Sequence, residues 1–153
     1  MTNGDQTDTI AAALTGNGSF ESALATREFE PDSPNYTPRI SGIVDLNDQK
    51  NSYRLSILKS FNHDPKVRIR NYFNYSQAVP GIGHCLHTYT GNGDPLPSFA
   101  GEPYPVPLAA NDATEIAQSF WEVLDRENRV ALLVKLIDPA TGNSTIKIIN
   151  QLG

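Results

Sequence analysis

Residues 53–71 are Tyr53-Arg-Leu-Ser-Ile-Leu-Lys59-Ser-Phe-Asn62-His-Asp-Pro65-Lys66-Val-Arg-Ile-Arg-Asn71, and the pattern of this stretch decides the fold class. Apolar and polar side chains alternate on both sides of the central Asn62-His-Asp-Pro65, which is the period of two that is typical of β-strands. Asn, Asp and Pro favour a tight turn. The stretch therefore predicts two antiparallel strands joined by a hairpin turn at residues 62–65.

The second of these strands carries three cations on one face. Lys66, Arg68 and Arg70 occupy alternate positions, so their side chains point the same way. They could line a basic groove, but a solvated sheet face is the interpretation that we favour, because charged side chains are rarely buried without partners.

Further strands are predicted on both sides of the hairpin. Alternation or apolar runs indicate strands at residues 40–46, 84–90, 130–137 and 144–152. Residues 91–111 are rich in Gly and Pro and are expected to form a long loop, and an ordered loop of that length is more often functional than idle.

Three helices are predicted from their capping signals. An Asp or Thr side chain within residues 5–8 is expected to cap a first helix, which ends at Gly16-Asn-Gly18. Ser19 caps a second, through about Arg27, and Asp112 caps a third, which ends near Asn128. Together these elements predict one α+β domain over residues 1–153 with mostly antiparallel strands.

Composition excludes several classes of protein. The chain has 153 residues, which suits a single domain, and a net charge of −5, which argues against a general binder of nucleic acid or anionic membranes. Its one cysteine, Cys85, excludes an internal disulfide framework and a Cys-rich zinc site. No apolar run approaches the roughly 20 residues of a membrane span, and the first residues lack the features of a signal peptide. We therefore expect a soluble, cytoplasmic protein.

Two polar clusters are candidate ligand sites. The first, Asn3-Gly-Asp-Gln-Thr-Asp-Thr9, precedes a predicted helix, where free amides suit an anion such as phosphate; ordinary helix capping with a Gly turn is the interpretation that the residues alone favour. In the second, Asn35-Tyr-Thr-Pro-Arg39, the guanidinium of Arg39 could hold a phosphate or carboxylate, or Arg39 could be a surface residue with its stem packed down.

Other reactive residues give weaker signals. His84, Cys85 and His87 suggest a metal, but His84 and Cys85 point to opposite faces of a strand and no third ligand recurs nearby, so no metal site is predicted. Nothing marks Cys85 as a stabilised thiolate. Glu102, in the Pro-rich loop, is either a general base or hydrogen-bond acceptor, or simply an exposed acid.

Five stretches of the chain are informative when they are taken together. They are Thr2-Asn-Gly-Asp-Gln-Thr-Asp-Thr-Ile10, Phe29-Glu-Pro-Asp-Ser-Pro-Asn-Tyr-Thr-Pro-Arg-Ile-Ser-Gly-Ile43, Tyr53-Arg-Leu-Ser-Ile-Leu-Lys59, Gly83-His with His87-Thr-Tyr89, and Pro95-Leu-Pro-Ser-Phe-Ala-Gly-Glu-Pro103. In this order and at similar spacing they resemble the archaeal-type IMP cyclohydrolase family, and the resemblance covers essentially the whole chain.

The resemblance implies a reaction and a fold. The family closes the ring of 5-formamidoimidazole-4-carboxamide ribotide (FAICAR) to give IMP and water, the last step of purine synthesis, without a cofactor or metal. Its fold is an αββα sandwich that resembles the N-terminal nucleophile hydrolases. Family members begin further upstream, with a Ser-Arg-Asn-Arg-like motif, so the domain is expected to be incomplete at its N-terminus. The exposed sheet edge that would result predicts a homo-oligomer.

The resemblance also suggests which residues act on a purine ribotide, the small-molecule partner that it implies. Ring closure needs a contact to the formyl oxygen, a base near the amide N–H and a phosphate anchor. Arg39, Asp8 and Glu102 are the candidate catalytic residues. The candidate substrate-binding residues are Asn3, Gly4, Thr7, Asn35, Tyr36, Thr37, His87, Thr88 and Tyr89. Two alternatives stay open: a non-catalytic relative that binds purine nucleotides, and a structural domain without a ligand.

Overall fold

The computed structural model describes residues 1–151, which form three helices and seven strands. Residues 1–78 and 84–105 make one compact unit, and residues 79–83 together with those from 106 onward make a second. The α+β class is confirmed, while the αββα sandwich and the single domain stay predictions. The elements are α1 (Gln6–Thr15), α2 (Phe20–Ala25), β1 (Arg39–Ile43), β2 (Tyr53–Phe61), β3 (Asp64–Tyr75), β4 (Ile82–Cys85), β5 (Tyr104–Pro107), α3 (Ala113–Val123), β6 (Ala131–Ile137) and β7 (Ser144–Asn150).

The first unit is built on an antiparallel sheet with the strand order β1-β2-β3. The predicted hairpin joins β2 to β3, but its turn is tighter than predicted. Only Asn62 and His63 lie between the strands, and both have positive φ, 48° and 60°. A two-residue turn with positive φ at both positions matches the twist of the strands. Asp64 and Pro65, expected in the turn, are therefore the first residues of β3.

Different segments of the chain pack against the two faces of this sheet. On one face, Leu58 packs in a buried cluster with Ile10, Phe20 and Leu24 of α1 and α2. We call this the helix face. By alternation, Ile57 lies on the opposite face, and it is 1% exposed. There the segment of residues 84–105 supplies the cover, since the neighbouring Lys59 donates a hydrogen bond to the Phe99 carbonyl. We call this the loop face.

The capping predictions had different outcomes. Ser19 caps α2 through a reciprocal pair with Ser22, and Asp112 caps α3 by accepting from the amides of Thr114 and Glu115, as predicted. The cap expected for α1 was wrong. Asp5 occupies the N-cap position without a side-chain cap, because its carboxylate is paired with arginines instead. The third helix ends at Val123 rather than near Asn128.

Removing the Ser19 cap should weaken the packing of α2. We expect Ser19→Ala to lower the free energy of unfolding by about 1 kcal/mol, because the Ser22 backbone amide loses the Ser19 hydroxyl as its acceptor. Urea denaturation followed by circular dichroism measures this change. Ser33→Ala is the control, since Ser33 is exposed and has no side-chain hydrogen bond within residues 1–151. Equal midpoints for the two variants would contradict the prediction.

Two strand predictions need correction. The strand expected at residues 84–90 is β4, which ends at Cys85, and Tyr89 forms only an isolated bridge with Ser98. The loop expected at residues 91–111 contains β5, which pairs with β4 in a two-stranded sheet. Proline can occupy a strand in such a sheet because each strand is an edge, and this explains why the Pro-rich sequence concealed β5.

The C-terminal elements form the second unit. α3 packs against the antiparallel hairpin of β6 and β7. The predicted last strand extends to residue 152, which lies outside the described residues. No helix within residues 1–151 is long and apolar enough to cross a membrane.

The solvated face predicted for the three cations of β3 is found in part, since Arg68 is 46% exposed while Arg70 is half-buried. Arg68 is ion-paired with Glu28 at 2.7 Å, and the Arg70 guanidinium donates to the Arg27 carbonyl at 3.0 Å. Both arginines reach the segment after α2 because β3 presents them on the helix face. Lys66 is exposed.

Candidate functional site

The five stretches that carry the family resemblance converge in the first unit. Every residue of these stretches except Gly83 belongs to it. Several hydrogen bonds join one stretch to another, although the bonded residues lie 31 to 61 positions apart in sequence. The pairs are Asn3 with Pro38, Thr37 with Tyr89, Asn35 with Leu96, Tyr53 with His84, and Lys59 with Phe99.

Asn3 fastens the N-terminal stretch to β1. Its amide nitrogen donates to the Pro38 carbonyl at 3.0 Å, and its amide oxygen accepts from the Ile40 amide at 2.9 Å. Gln6, which the sequence analysis missed, is fully buried beside it and donates to the Ile40 carbonyl and to Ser41. A buried glutamine forms such contacts only when a distant strand meets it, so no local sequence signal identified Gln6.

Arg39 lies at the start of β1 in a cluster of four charged side chains, which we call the Arg39 cluster: Asp5, Arg27, Glu30 and Arg39. Its guanidinium is ion-paired with Asp5 and with Glu30, the latter at 2.9 Å, and Arg27 also pairs with Asp5. The side chain of Arg39 is only 12% exposed. Two carboxylates balance two guanidinium groups, so the cluster has no net charge of its own to attract a phosphate.

The pKa of Asp5 is lowered, chiefly by its hydrogen bond with Arg27 and further by Arg39, against the opposing effect of burial. A carboxylate with a lowered folded-state pKa stabilises the fold above its unfolded-state pKa, which is about 3.9. That contribution is lost as the pH falls through the lowered pKa. We therefore expect stability to decline below about pH 4 and the decline to be shallower in Asp5→Asn. Melting temperatures between pH 2 and 7 measure it.

Asp8→Asn is the matched control for the acid-stability experiment. Asp8 lies in the same helix turn but is exposed, and its carboxylate has no hydrogen bond or ion pair within residues 1–151. Its pH profile should therefore follow the wild type. If Asp5→Asn also follows the wild type, the pairing of Asp5 does not contribute to stability.

Thr37 and Tyr89 join the second and fourth stretches. Their hydroxyl groups are 2.5 Å apart, and the Thr37 hydroxyl also donates to Asp32. Burial opposes ionisation of Asp32, but hydrogen bonds from the hydroxyl and amide of Thr37 outweigh it and lower the pKa of this carboxyl. The Glu30 amide donates to the Thr37 carbonyl at 2.9 Å, so this hydroxyl pair adjoins the Arg39 cluster.

Two further predicted residues attach the loop segment to this region. The Asn35 side-chain oxygen accepts from the Leu96 amide at 2.9 Å. His87 contacts the Tyr89 carbonyl through Nδ1 and packs edge-on against Phe99, with ring centroids 4.8 Å apart. Both residues therefore help to fix the segment that carries Tyr89.

The remaining predicted residues differ in their surroundings. The Thr7 hydroxyl is 2.5 Å from that of Thr2, and an added Cβ at Gly4 would lie 2.7 Å from Gln6 Oε1 and 3.2 Å from Glu30 Oε1.

Tyr36 has φ 46° and packs edge-on against Phe29, while the Thr88 carbonyl accepts a hydrogen bond from the Phe99 amide. The candidate acids Asp8 and Glu102 are exposed, and no contact places either beside Arg39 within residues 1–151.

An aromatic group on the loop face was also missed by sequence analysis. The Tyr53 hydroxyl is 2.6 Å from His84 Nδ1, and Tyr75 stacks on the Tyr53 ring and lies against the His84 ring in a tilted contact. Burial raises the pKa of Tyr53 and of Tyr75, and the charge of Glu102 adds to the shift of Tyr75. His84 also lines a cleft of about 250 Å³ together with Asn3 and Leu55.

A larger cavity lies at the other end of β2. It measures about 570 Å³, and we call it the Lys59 cavity. Its lining comes from the end of β2, the hairpin turn and residues 97–100, and includes Lys59, Ser60, His63 and Ser98. Among residues 1–151, no group of three or more His, Cys, Asp or Glu side chains is arranged to hold a metal ion.

A family model described as IMP cyclohydrolase-like protein matches residues 1–143. This chain belongs to the IMP cyclohydrolase-like family. No curated protein and no solved structure matches it. The family match includes the whole of the first unit, with the Arg39 cluster, the Thr37–Tyr89 pair and the Lys59 cavity. Membership in the IMP cyclohydrolase-like family supports a hydrolase of purine biosynthesis as the general function.

Proposed function

We propose that this member of the IMP cyclohydrolase-like family closes the ring of FAICAR to give IMP and water. The observation that carries the proposal is the set of hydrogen bonds between the five family stretches, which gather Asn3, Thr37, Arg39 and Tyr89 at one end of the sheet. Residues so far apart in sequence that meet at one sheet end are typical of a ligand site supported by a rigid scaffold.

The reaction defines what these groups have to do. The carboxamide nitrogen attacks the formyl carbon, and a carbon–nitrogen bond forms while the formyl oxygen takes up a proton. The former formyl oxygen then leaves as water together with a hydrogen from the formamide nitrogen. A double bond forms between the former formyl carbon and the formamide nitrogen, which completes the ring. A cation beside the formyl oxygen and a base beside the amide N–H lower the barrier.

The Arg39 cluster offers both groups. In our proposal Arg39 polarises the formyl oxygen, and Glu30, which is ion-paired with it at 2.9 Å, accepts the amide proton. The hydroxyl groups of Thr37 and Tyr89 orient the carboxamide. This assignment retains Arg39 from the predicted catalytic residues, and it gives the role of base to Glu30 rather than to Asp8 or Glu102, because Glu30 is the acid in contact with Arg39.

Formation of IMP from FAICAR, followed by chromatography, tests the proposal. We expect IMP to appear well above the uncatalysed rate with no added cofactor. Glu30→Gln should lower kcat by about 10²–10⁴-fold, the usual contribution of a general base. Glu28→Gln is the matched control, because Glu28 pairs with Arg68 on the adjoining segment and should retain full activity.

The alternative function, non-catalytic binding of a purine nucleotide, gives a different result. In that case the wild type would bind IMP in a calorimetric titration but would not accelerate its formation. A wild type that neither binds IMP nor turns over FAICAR would contradict both. The homo-oligomer and the cytoplasmic location are further proposals, and light scattering measures the first of them.

A further inference from the structure

Lys59 is a half-buried cation without a carboxylate partner among the residues that the structure describes. Its ammonium group donates one hydrogen bond, to the Phe99 carbonyl, and none of the ion pairs within residues 1–151 includes it. Burial lowers the pKa of Lys59, as expected for an ammonium group that is partly removed from water and compensated only by a neutral carbonyl. An ammonium group has three donors, so two are available to a ligand.

The Lys59 cavity contains further polar groups that lack partners. Ser60 lines it and is 3% exposed, and its hydroxyl has no hydrogen-bond partner within residues 1–151. His63 also lines the cavity, and its Nδ1 is buried and equally without a partner in the described part of the chain. By alternation, however, the Ser60 side chain lies on the helix face with its register partner Arg68, so its hydroxyl does not face a ligand beside Lys59. The Lys59 ammonium group is therefore the donor on which a ligand site in this cavity depends.

The size of the cavity suits a ligand of the proposed class. At about 570 Å³ it falls within the range of roughly 300–1,000 Å³ that is usual for small-molecule sites. The cleft beside His84, at about 250 Å³, falls below that range.

The cavity also lies next to the proposed reaction site. Ser98 lines it and forms the isolated bridge with Tyr89, whose hydroxyl contacts Thr37. Arg39 is paired in register with Leu58, the residue before Lys59. Arg39 and Lys59 therefore sit at the same end of the sheet, on opposite faces.

We propose that the Lys59 cavity binds the phosphate group of a nucleoside monophosphate, with Lys59 as its cationic anchor; this rests on the proposed function above. Charge compensation decides between the two candidate anchors. Arg39 already has two carboxylates against its guanidinium, whereas Lys59 has none in the described part of the chain. A phosphate supplies the missing negative charge at Lys59, and its oxygens accept hydrogen bonds from the ammonium group.

Binding of IMP and of inosine, which lacks the phosphate, tests this inference by calorimetry. The wild type should bind IMP more tightly than inosine. Lys59→Gln should weaken IMP binding by about tenfold or more, as expected for loss of a charge-assisted hydrogen bond, and should leave inosine binding unchanged. Lys59→Arg, which keeps the charge, should restore part of the preference for IMP. Lys50→Gln is the matched control for net charge, because Lys50 is exposed outside the cavity.

A second measurement does not depend on the proposed function. Titration of the wild type with inorganic phosphate, followed by the ¹³Cε resonance of Lys59, should show a saturable shift that is absent with chloride at equal ionic strength. An unchanged ratio of IMP to inosine affinity in Lys59→Gln would overturn the phosphate site while the cyclohydrolase proposal stands. A saturable shift at Lys59 without any turnover of FAICAR would instead contradict only the proposed function.

Discussion

Replacing Phe99 by alanine should lower the free energy of unfolding of the first unit by about 3–5 kcal/mol, the usual cost of removing a buried phenylalanine. Phe99 is 1% exposed and packs against His87 and Tyr104. Its carbonyl accepts from Lys59, and its amide donates to the Thr88 carbonyl. The ring therefore anchors the segment that carries Tyr89, and urea denaturation measures its contribution.

Phe61→Ala is the matched control for the Phe99 variant. Phe61 is 52% exposed at the end of β2, so its truncation leaves no buried cavity and should change the unfolding free energy by well under 1 kcal/mol. A loss in Phe99→Ala no larger than in Phe61→Ala would show that the loop face is not a packed layer.

Replacing Arg39 by lysine should reduce kcat/KM for FAICAR by about a hundredfold, the lower end of the effect of removing one preorganised donor at a developing charge. Lysine keeps the charge but cannot reproduce the planar fork of a guanidinium. In the structure that fork is paired with Asp5 and Glu30, and a lysine would reach only one of them. Steady-state kinetics with FAICAR measures the effect.

The structure also predicts an effect of Arg39→Lys on the stability of the protein without ligand. A surface arginine would tolerate this substitution with no change in melting temperature, whereas an arginine that is 12% exposed and bridges two carboxylates should not. We therefore expect a lower melting temperature as well. Arg68→Lys is the control, because Arg68 is 46% exposed and Glu28 is its one ion-pair partner within residues 1–151. Equal kinetics for the two variants would remove Arg39 from the site.

The features that the sequence predicted correctly are those that depend on neighbouring residues. Alternation with a period of two located β2 and β3, and the caps Ser19 and Asp112 located the starts of α2 and α3, because a cap bonds amides only two or three residues away. The order of five polar stretches indicated the family in the same way, as a pattern along the chain. These inferences need no knowledge of which distant segments meet.

Tertiary pairing overrode several of the local signals. Asp5 precedes a helix and would be read as its cap, but Arg27 and Arg39 hold its carboxylate once the chain has folded. Residues 104–107 contain two prolines and would be read as loop, but they pair with β4 at a sheet edge. In both cases a partner distant in sequence offers a more favourable interaction than the local alternative.

The sequence by itself therefore determined the α+β class, the central hairpin, two helix starts and the family. Only the tertiary structure decided that Glu30 pairs with Arg39, that Tyr89 contacts Thr37, and that Lys59 borders a cavity with no carboxylate partner from residues 1–151. The physical reason is that periodicity and capping involve residues only a few positions apart. The charge balance at Arg39 and at Lys59 instead depends on segments that are distant in sequence and meet only when they pack against the two faces of the sheet.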